Sequence, residues 1–391
     1  MENSVFCKIN FYHKAVVCPC TNSKIQKPGM FREAAPRPHF QLAKANDFNY
    51  QWSGANGYSQ VPGTVPHEGG DIPGILAGKM VLNLVDIQSQ FARLQQEMKK
   101  YYFGPDSIVQ EICITLLARG HILLEGVPGV AKTTLARFFA ALLGLSAKRI
   151  QFTPDLLPSD ITGMRIPGPD FQSQKFIPGP LFTQVLLADE INRAPAKTQA
   201  ALLEALEENR VTVDGTTYAL YEPFFVLATQ NPQESAGTFL LPEAAIDRFL
   251  IRIRLNYPER EQELSMMHAH HVNPQLPGPL FSGSQLVEAQ ALVEHVQISE
   301  PLMRYALSLV RATRRHPQLE MGASPRAGLA LLRASKARAV LLGRDFATPE
   351  DVRALAVPVL GHRLRLSYEA ENRGITPDSI VHRLIQDLDL I

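Results

Sequence analysis

Cysteine, tryptophan and long apolar stretches are all scarce in this sequence of 391 residues. Four cysteines and one tryptophan are present, which excludes a disulfide-dense secreted scaffold. No stretch approaches the roughly 20 apolar residues that a membrane-spanning helix requires. The first twenty residues lack a continuous apolar core behind a basic head, so we expect no secretory signal. These absences predict a cytoplasmic protein.

The cysteines also give little support for a metal site. Cys7, Cys18 and Cys20 lie near His13, but the C-x-C spacing is poor for structural zinc and no second ligand pair follows. Cys113 lies in an apolar, helix-like stretch, where a buried thiol in the core is expected.

An excess of charge of either sign is missing too. The chain carries 39 Lys and Arg against 38 Asp and Glu, a net charge of +1. Such a balance gives no overall attraction to nucleic acid or to an anionic membrane. The content of 45% hydrophobic and 20% charged residues is ordinary for a soluble globular protein, and the length allows two or three domains.

Composition divides the chain into three parts. Residues 1–78 are predicted to be a poorly ordered extension, because Pro, Gly, Asn, Ser and Gln dominate from Thr21 onwards without apolar periodicity. Residues 79–256 alternate helical and strand-like apolar patterns, which favours a parallel sheet covered on both faces. Residues 257–391 are predicted to be a smaller, all-helical domain.

Helix-start signals recur in the C-terminal part. Ser299, Ser324 and Thr348 each stand just before a proline, as a capping residue does at the entry to a helix. Gly343 is a natural end for the helix before Thr348.

The stretch HILLEGVPGVAKTT, residues 121–134, contains the most informative motif. A short apolar strand leads into a loop with Gly126, Pro128 and Gly129, and an apolar helix follows Lys132 and Thr133. This order is typical of a phosphate-binding loop, whose backbone N–H groups and helix amino end face phosphate oxygens. Lys132 would reach the β and γ phosphates, and the Thr133 hydroxyl would bind Mg²⁺.

One position departs from the usual pattern G-x-x-x-x-G-K-[ST]. Ala131 stands where the second glycine belongs, but its small side chain still permits close approach to a phosphate. The predicted nucleotide-contacting residues form one continuous segment: Gly126, Val127, Pro128, Gly129, Val130, Ala131, Lys132, Thr133 and Thr134.

Two adjacent carboxylates end a later apolar stretch, QVLLADE. Asp189 would hold Mg²⁺ directly or through water, and Glu190 would orient or deprotonate the attacking water. Acidic residues often end strands without any role. Their place 57 residues after Lys132 and directly after LLA matches a Walker B motif, and ATP and Mg²⁺ are therefore the predicted cofactors.

Four longer segments then resemble the MoxR branch of the AAA+ ATPases. They are IQFTPDLLPSDITG, LLADEINRAPAKTQAALLEALEE, ATQNP and LPEAAIDRFL. The resemblance covers roughly residues 80–391, and the family tolerates alanine at the position of Ala131. It implies a P-loop α/β domain at 79–256 and a helical lid domain at 257–391.

The resemblance also implies roles for three further residues. Asn231 matches sensor 1, which positions water against the γ phosphate. Arg248 matches the arginine finger, which acts on the nucleotide of a neighbouring subunit, and Arg326 matches sensor 2, which contacts the γ phosphate in its own subunit. Asn192 and Arg193 match the family pattern without an assigned task.

The resemblance to the MoxR branch further implies an oligomeric assembly and protein partners. Its members resemble chaperones that form rings, here expected to be hexameric, and that activate other protein complexes, often with a von Willebrand factor A domain partner. The segment 153–180 and the hairpin at 211–218 would engage an unidentified client protein. Phe171 and Phe176 either project towards that client or pack on the base of their own loop.

Two other functions are consistent with parts of the pattern. An ATPase acting on nucleic acid would need a strongly basic strip, which the composition does not favour. A scaffold that binds nucleotide without hydrolysis would lack Lys132, Glu190 or Arg248, and all three are present.

Overall fold

The computed structural model describes most of the chain after residue 82. The described residues are 83–126, 132–168, 174–231, 239, 241–272 and 276–388. The predicted extension with three of the cysteines, five residues of the phosphate loop (127–131) and Phe171 lie outside the described residues.

Within this part of the chain, strands and helices alternate first and helices dominate later. The helices are α1 (Leu84–Met98), α2 (Asp106–Leu117), α3 (Lys132–Leu142), α4 (Pro158–Thr162), α5 (Ala196–Glu208), α6 (Glu243–Ile246), α7 (Arg260–Val272), α8 (Gly283–His295), α9 (Glu300–Thr313), α10 (Pro325–Leu341), α11 (Pro349–Leu360), α12 (Tyr368–Asn372) and α13 (Pro377–Asp387). The strands are β1 (Ile122–Gly126), β2 (Ala147–Gln151), β3 (Gly163–Pro167), β4 (Gln174–Pro178), β5 (Val185–Asp189), β6 (Arg210–Val213), β7 (Thr216–Ala219), β8 (Phe225–Gln230), β9 (Ile251–Leu255), β10 (Leu319–Met321) and β11 (Arg365–Leu366). Two 3₁₀ turns span Ile191–Arg193 and Gly361–Arg363.

Five strands form a parallel sheet in the order β2-β5-β8-β1-β9. The three central strands are almost continuously apolar and buried, as strands covered on both faces must be. All five run the same way, so the sheet has one carboxyl edge, where the strands end, and one amino edge, where they begin. The predicted α/β class with a helical C-terminal part is confirmed.

Two β-hairpins project from this sheet. In the β6–β7 hairpin, Asp214 and Gly215 both have positive φ, 50° and 78°, as a two-residue hairpin turn requires. The β3–β4 hairpin occupies most of the segment predicted to be an insertion. Phe176 stacks on Tyr218 at 4.1 Å between ring centroids and meets Phe182 edge-on at 5.4 Å. Packing on its own base therefore describes Phe176 better than projection does.

The two faces of the sheet belong to separate apolar cores. One core continues from the sheet through α1, α2 and α3 into α8–α11 and α13. The other lies beneath α5 and the loops that carry Phe152 and Phe249. The first core includes residues of both the sheet and the C-terminal helices. The C-terminal helices therefore share one apolar core with the sheet. Among the described residues, no helix combines the length and apolarity needed to cross a bilayer.

The C-terminal part differs from the sequence prediction in small ways. A two-stranded ladder, β10–β11, accompanies the helices. The Ser299 hydroxyl caps α9 as predicted, accepting from Leu302 N–H. The Ser324 hydroxyl makes no capping hydrogen bond to α10 and donates to Asp247 at 3.1 Å. From the sequence we expect a short helix over residues 241–249 ahead of β9. Only the single turn α6 forms there, and an irregular segment leads from it into β9.

Candidate nucleotide site and arginine pair

The described part of the phosphate loop is its two ends. Gly126 closes β1, and a Cβ added there would lie 2.7 Å from the carbonyl oxygen of Leu255 on β9, so only glycine fits. Lys132 begins α3 and donates from Nζ to the carbonyl oxygen of Gly126 at 2.8 Å. The ammonium thus reaches back across the loop to the carboxyl end of β1.

The first turn of α3 presents hydroxyl groups beside this lysine. The Thr133 side chain is exposed and Thr134 is half-buried. The remaining predicted loop residues, Val127, Pro128, Gly129, Val130 and Ala131, lie outside the described residues. Lys132, Thr133 and the adjoining end of β1 therefore fit a phosphate site, which the amino end of the α3 helix supports electrostatically.

Asp189 ends β5 in a nearly buried position, where neighbours hold both of its carboxylate oxygens. The Thr229 hydroxyl donates to Oδ1 at 2.6 Å, and Arg149 donates to Oδ2 from Nη2 at 2.6 Å and from Nε at 3.0 Å. Two strands adjacent to β5, namely β2 and β8, supply these partners. The carboxylate is consequently held in one orientation at the carboxyl edge.

Glu190 adopts a left-handed backbone conformation, with φ 57° and ψ 50°. Its N–H donates to the Thr229 hydroxyl at 2.9 Å, so one threonine holds both acidic residues. The Glu190 carboxylate accepts from Gln151 at 2.7 Å and forms an ion pair with Arg193 at 3.2 Å. A positive φ is costly for a residue with a Cβ, and such strain is found where a side chain must point in a set direction.

Asn231 follows β8, so it lies at the same edge of the sheet as Asp189. It is buried, with 5% exposure, and its carbonyl oxygen accepts a long hydrogen bond of 3.5 Å from Asn192. Asn192 and Arg193, which had no predicted task, are thus neighbours of Asn231 and Glu190. The carboxyl edge brings together Lys132, Asp189, Glu190 and Asn231.

Arg248 lies elsewhere, because it precedes β9 and therefore stands at the amino edge. Its Nη1 donates to the Ala244 carbonyl oxygen at 2.6 Å, and its Nε donates to Glu207 Oε2 at 2.9 Å. Glu207 is near the end of α5, which runs back from the carboxyl edge. With a strand of five residues spanning about 13 Å, Arg248 is separated from the nucleotide-site residues of its own chain by the depth of the sheet.

Arg326 also stands at the amino edge. Its Nη2 donates to Glu207 Oε1 at 3.1 Å, so Arg326 and Arg248 share one carboxylate. The expectation that Arg326 contacts the γ phosphate of its own subunit does not fit this position. Two distant sequence motifs instead form one arginine pair, because the amino end of α10 packs beside the segment that follows α6.

A buried ion pair ties the backbone of these two regions together. Asp247 accepts from Arg363 Nε at 2.6 Å and from the Ser324 hydroxyl. Arg363 also donates to the carbonyl oxygens of Asp247 and Phe249, one on each side of Arg248. Burial lowers the pKa of Arg363, while the hydrogen bond and charge of Asp247 oppose the shift. The segment that carries Arg248 is thereby attached to the C-terminal helices.

His121 connects three elements at the amino edge. Its Nδ1 accepts from Val226 N–H at 3.2 Å, which leaves Nε2 to donate to the Leu206 carbonyl oxygen at 3.1 Å. Burial lowers the pKa of His121 to about 4, so the ring is neutral at physiological pH. It connects the start of β1, the start of β8 and the end of α5 next to Glu207.

Several residues of the two sites have no motif of their own in the sequence. Arg149, Gln151 and Thr229 become neighbours of the acidic pair only through strand order, which local spacing does not reveal. Glu207 is one of several glutamates in LLEALEE. Its helical position could have placed it at the amino edge, but nothing in the sequence joins it to Arg248 and Arg326.

Comparison with known proteins identifies the class first. Residues 121–251 match the family model described as "ATPase family associated with various cellular activities (AAA)". Residues 311–384 match the model described as "AAA lid domain". The protein is an ATP-hydrolysing enzyme of the AAA class, with nucleotide binding implied by the first of these domains.

Full-length relatives then identify the branch. Chaperone MoxR1 of Mycobacterium tuberculosis is 41% identical over 303 residues, covering 75% of this chain and 80% of that relative. Protein MoxR of Methylorubrum extorquens is 33% identical, covering 76% and 94%. A crystal structure from Cytophaga hutchinsonii superposes with a TM-score of 0.72 at 39% identity, covering 78% and 96%. The chain belongs to the MoxR family of AAA+ ATPases.

Proposed function

We propose that each subunit binds ATP at the carboxyl edge of its sheet and completes the site of a neighbouring subunit with its arginine pair. The placement of the two groups on opposite edges carries this proposal. Arg248 and Arg326 cannot serve the nucleotide of their own chain from the amino edge, whereas a head-to-tail neighbour presents its carboxyl edge to them.

The nucleotide-site residues take the following roles. Residues 126–134 surround the phosphates, with the Lys132 ammonium on the β and γ groups. Glu190, oriented by Gln151 and Arg193, accepts a proton from the attacking water, and Asn231 positions that water. Arg248 and Arg326 of the neighbour stabilise the charge that develops on the γ phosphate.

The donor set also fits Mg²⁺, which prefers hydroxyl, carboxylate and phosphate oxygens. The Thr133 hydroxyl and Asp189 would hold it. Asp189 Oδ2 already accepts two hydrogen bonds from Arg149 and Oδ1 accepts one from Thr229. A carboxylate has about four lone-pair sites, so one site, on Oδ1, remains for the ion. When bound, the ion neutralises phosphate charge.

The assembly proposed is a closed homo-oligomeric ring, with six subunits as in the family resemblance. Its function would be that of a chaperone which uses ATP to remodel or activate a client protein complex, together with a von Willebrand factor A domain partner. The relative from Mycobacterium tuberculosis is itself named a chaperone. Because hydrolysis consumes ATP, the cytoplasm is the proposed location.

The β3–β4 hairpin offers the client a specific apolar face. Met164 and Ile177 are opposite each other in the ladder, and Ile166 lies on the same face two residues along. All three are exposed, whereas Phe176 on the other face packs against Tyr218. Ile177→Ser is therefore expected to reduce client activation while basal hydrolysis stays at the wild-type rate.

Hydrolysis measured against protein concentration tests the shared site. The variants are Glu190→Gln, which removes the proton acceptor, and Arg248→Ala, which removes the arginine offered to the neighbour. Arg304→Ala is a matched control, because Arg304 is an exposed arginine whose ion pair lies within α9, with Glu300. We expect specific activity to rise with concentration for wild type and control, and both site variants to be inactive.

Mixing the two inactive variants gives the sharpest outcome. An interface at which Arg248→Ala holds the nucleotide and Glu190→Gln supplies Arg248 contains every required group, so activity should return. A specific activity that is independent of concentration, with Arg248→Ala fully active, would refute the shared site. Strong stimulation by DNA would instead favour the nucleic-acid alternative.

A further inference from the structure

Glu207 divides its carboxylate between the two arginines. Oε2 accepts from Arg248 Nε at 2.9 Å and lies 2.8 Å from Nη2 of the same residue. Oε1 accepts from Arg326 Nη2 at 3.1 Å. One side chain thus orients two guanidinium groups that come from segments 78 residues apart in the sequence.

In their contacts with the described residues, both guanidinium groups keep donors for a further ligand. A guanidinium has five N–H groups. Glu207 and the Ala244 carbonyl oxygen engage three of those on Arg248, and Glu207 engages one of those on Arg326. The Arg326 side chain is also 63% exposed. The contacts with Glu207 therefore orient the arginines without using up their capacity to bind phosphate.

Two arginines held close together repel each other unless an anion lies between them. Glu207 supplies that anion, and it also restricts side chains that otherwise lose considerable rotamer entropy when they bind. The pair has one net positive charge with Glu207 in place, which remains attractive to a γ phosphate. The adjacent Asp247, bonded to Ser324 and Arg363, holds the backbone of the same two segments.

We propose that Glu207 is a positioning residue that presents Arg248 and Arg326 together to the nucleotide of the neighbouring subunit. This inference rests on the proposed function of the arginine pair. The opposite effect is physically possible: a carboxylate that competes with phosphate would hold the arginines back, and its removal would accelerate hydrolysis. The direction of the change in kcat therefore decides between the two.

The test compares Glu207→Ala and Glu207→Gln with the control Glu208→Ala. Glu208 is the next residue of the same helix and is exposed, with its ion pair directed at Arg210 on β6. ATP hydrolysis is measured at a protein concentration where wild-type specific activity has reached its plateau. Sedimentation at that concentration verifies that each variant assembles.

We expect Glu207→Ala to lower kcat roughly tenfold or more, because small displacements of catalytic groups are costly. The KM for ATP should change less than twofold, since Lys132 and the phosphate loop lie at the opposite edge. Glu207→Gln keeps one good acceptor and should retain an intermediate kcat. Glu208→Ala should match wild type.

Each contrary result has a separate meaning. A Glu207→Ala variant as fast as wild type, or faster, overturns the positioning role while leaving the shared site intact if Arg248→Ala is inactive in the same assay. A fully active Arg248→Ala variant overturns the proposed function itself. A loss of kcat in Glu208→Ala equal to that in Glu207→Ala would reduce the effect to a general one of charge on α5, and the inference would be withdrawn.

Discussion

Thr229 controls the acidic pair from the end of a neighbouring strand. Its hydroxyl donates to Asp189 Oδ1 at 2.6 Å and accepts from Glu190 N–H at 2.9 Å. A hydroxyl can do both because it has one donor and two acceptor sites. The Thr229 hydroxyl therefore fixes the Asp189 carboxylate and also stabilises the left-handed backbone of Glu190.

His121 gives the amino edge a dependence on pH. In the folded protein its pKa is about 4, against an ordinary value of 6.5, because burial disfavours the charged ring. Protonation would also turn Nδ1 from an acceptor into a donor facing Val226 N–H. Between pH 6.5 and 4 the unfolded chain binds more protons than the folded one, so stability is fully present above pH 6.5 and is lost as the pH falls.

The expected size of this effect follows from the shift. One pKa unit is worth about 1.4 kcal/mol, so His121 should account for about 2 kcal/mol of lost stability between pH 7.5 and pH 5. Urea unfolding of wild type and His121→Gln checks it, since their difference in free energy of unfolding should shrink by that amount. A constant difference for His121→Gln would show that the ring does not titrate as stated.

Single residues were predictable from the sequence where a motif names them. The sequence assigns Lys132, Asp189, Glu190 and Asn231 to one nucleotide, and the structure places all four at the carboxyl edge, where the ends of parallel strands meet. Arg326 was expected with them and instead joins Arg248. The motif identified the residue, but the docking of α10 determines its position, and that docking depends on buried contacts such as those of Arg363.

At the scale of elements, α11 begins after Thr348 as predicted, but the carboxylate of Asp351 makes the capping contacts. The Thr348 N–H and hydroxyl both donate to Asp351 Oδ2, at 2.8 and 3.2 Å. Arg344 donates to both oxygens of the same carboxylate, at 2.7 and 2.9 Å, and Arg338 also bonds it. Burial would raise the pKa of Asp351, but these hydrogen bonds lower it. The cap is centred on Asp351.

The loss of stability on substitution should therefore be largest at Asp351. Asp351→Ala leaves two partly buried arginines without their carboxylate and should cost about 3 kcal/mol or more in free energy of unfolding. Thr348→Ala removes one hydroxyl contact and should cost about 1 kcal/mol at most. Exposed Glu350→Ala, in the same helical turn, should stay within about 0.5 kcal/mol. Chemical denaturation measures all three, and a larger loss for Thr348→Ala than for Asp351→Ala would contradict the assignment.

Periodic patterns predicted helices and strands well and predicted their ends less well. Ile87, Phe91, Leu94 and Met98 are buried along α1 as the spacing required. The segment 241–249 shows the limit of such patterns, because the carbonyl oxygens of Asp247 and Phe249 accept hydrogen bonds from Arg363, a long-range contact that local spacing does not contain. The β10–β11 ladder has too few residues for its alternation to be visible.

For the whole molecule, the C-terminal helices are attached at both edges of the sheet. At the amino edge, Arg363 and Ser324 bind Asp247. Near the carboxyl edge, Asp378 at the start of α13 binds Arg254 and Arg252 of β9 at 2.6 and 2.8 Å. We therefore expect that the proposed α/β and lid domains, divided near residue 256, do not fold independently of each other.

This attachment predicts cooperative unfolding. Because one apolar core runs from the sheet into α8–α11 and α13, calorimetry at low protein concentration should give a single transition for the part of the chain that the structure describes. The calorimetric and van't Hoff enthalpies should then agree. Two resolved transitions, one of them abolished by deleting the C-terminal helices without loss of the other, would show that the helices fold as an independent unit.

Under the proposed shared site, the opposite placement of Glu190 and the Arg248–Arg326 pair gives every subunit a donor edge and an acceptor edge, and so gives any assembly a polarity. An open row always leaves one bound nucleotide at its end without arginines and one arginine pair without a nucleotide. A dimer built this way has only half of its sites complete, and each added subunit completes one more. Only a closed ring has no incomplete site at an end. The last subunit to join therefore forms two interfaces at once, whereas each earlier subunit forms one.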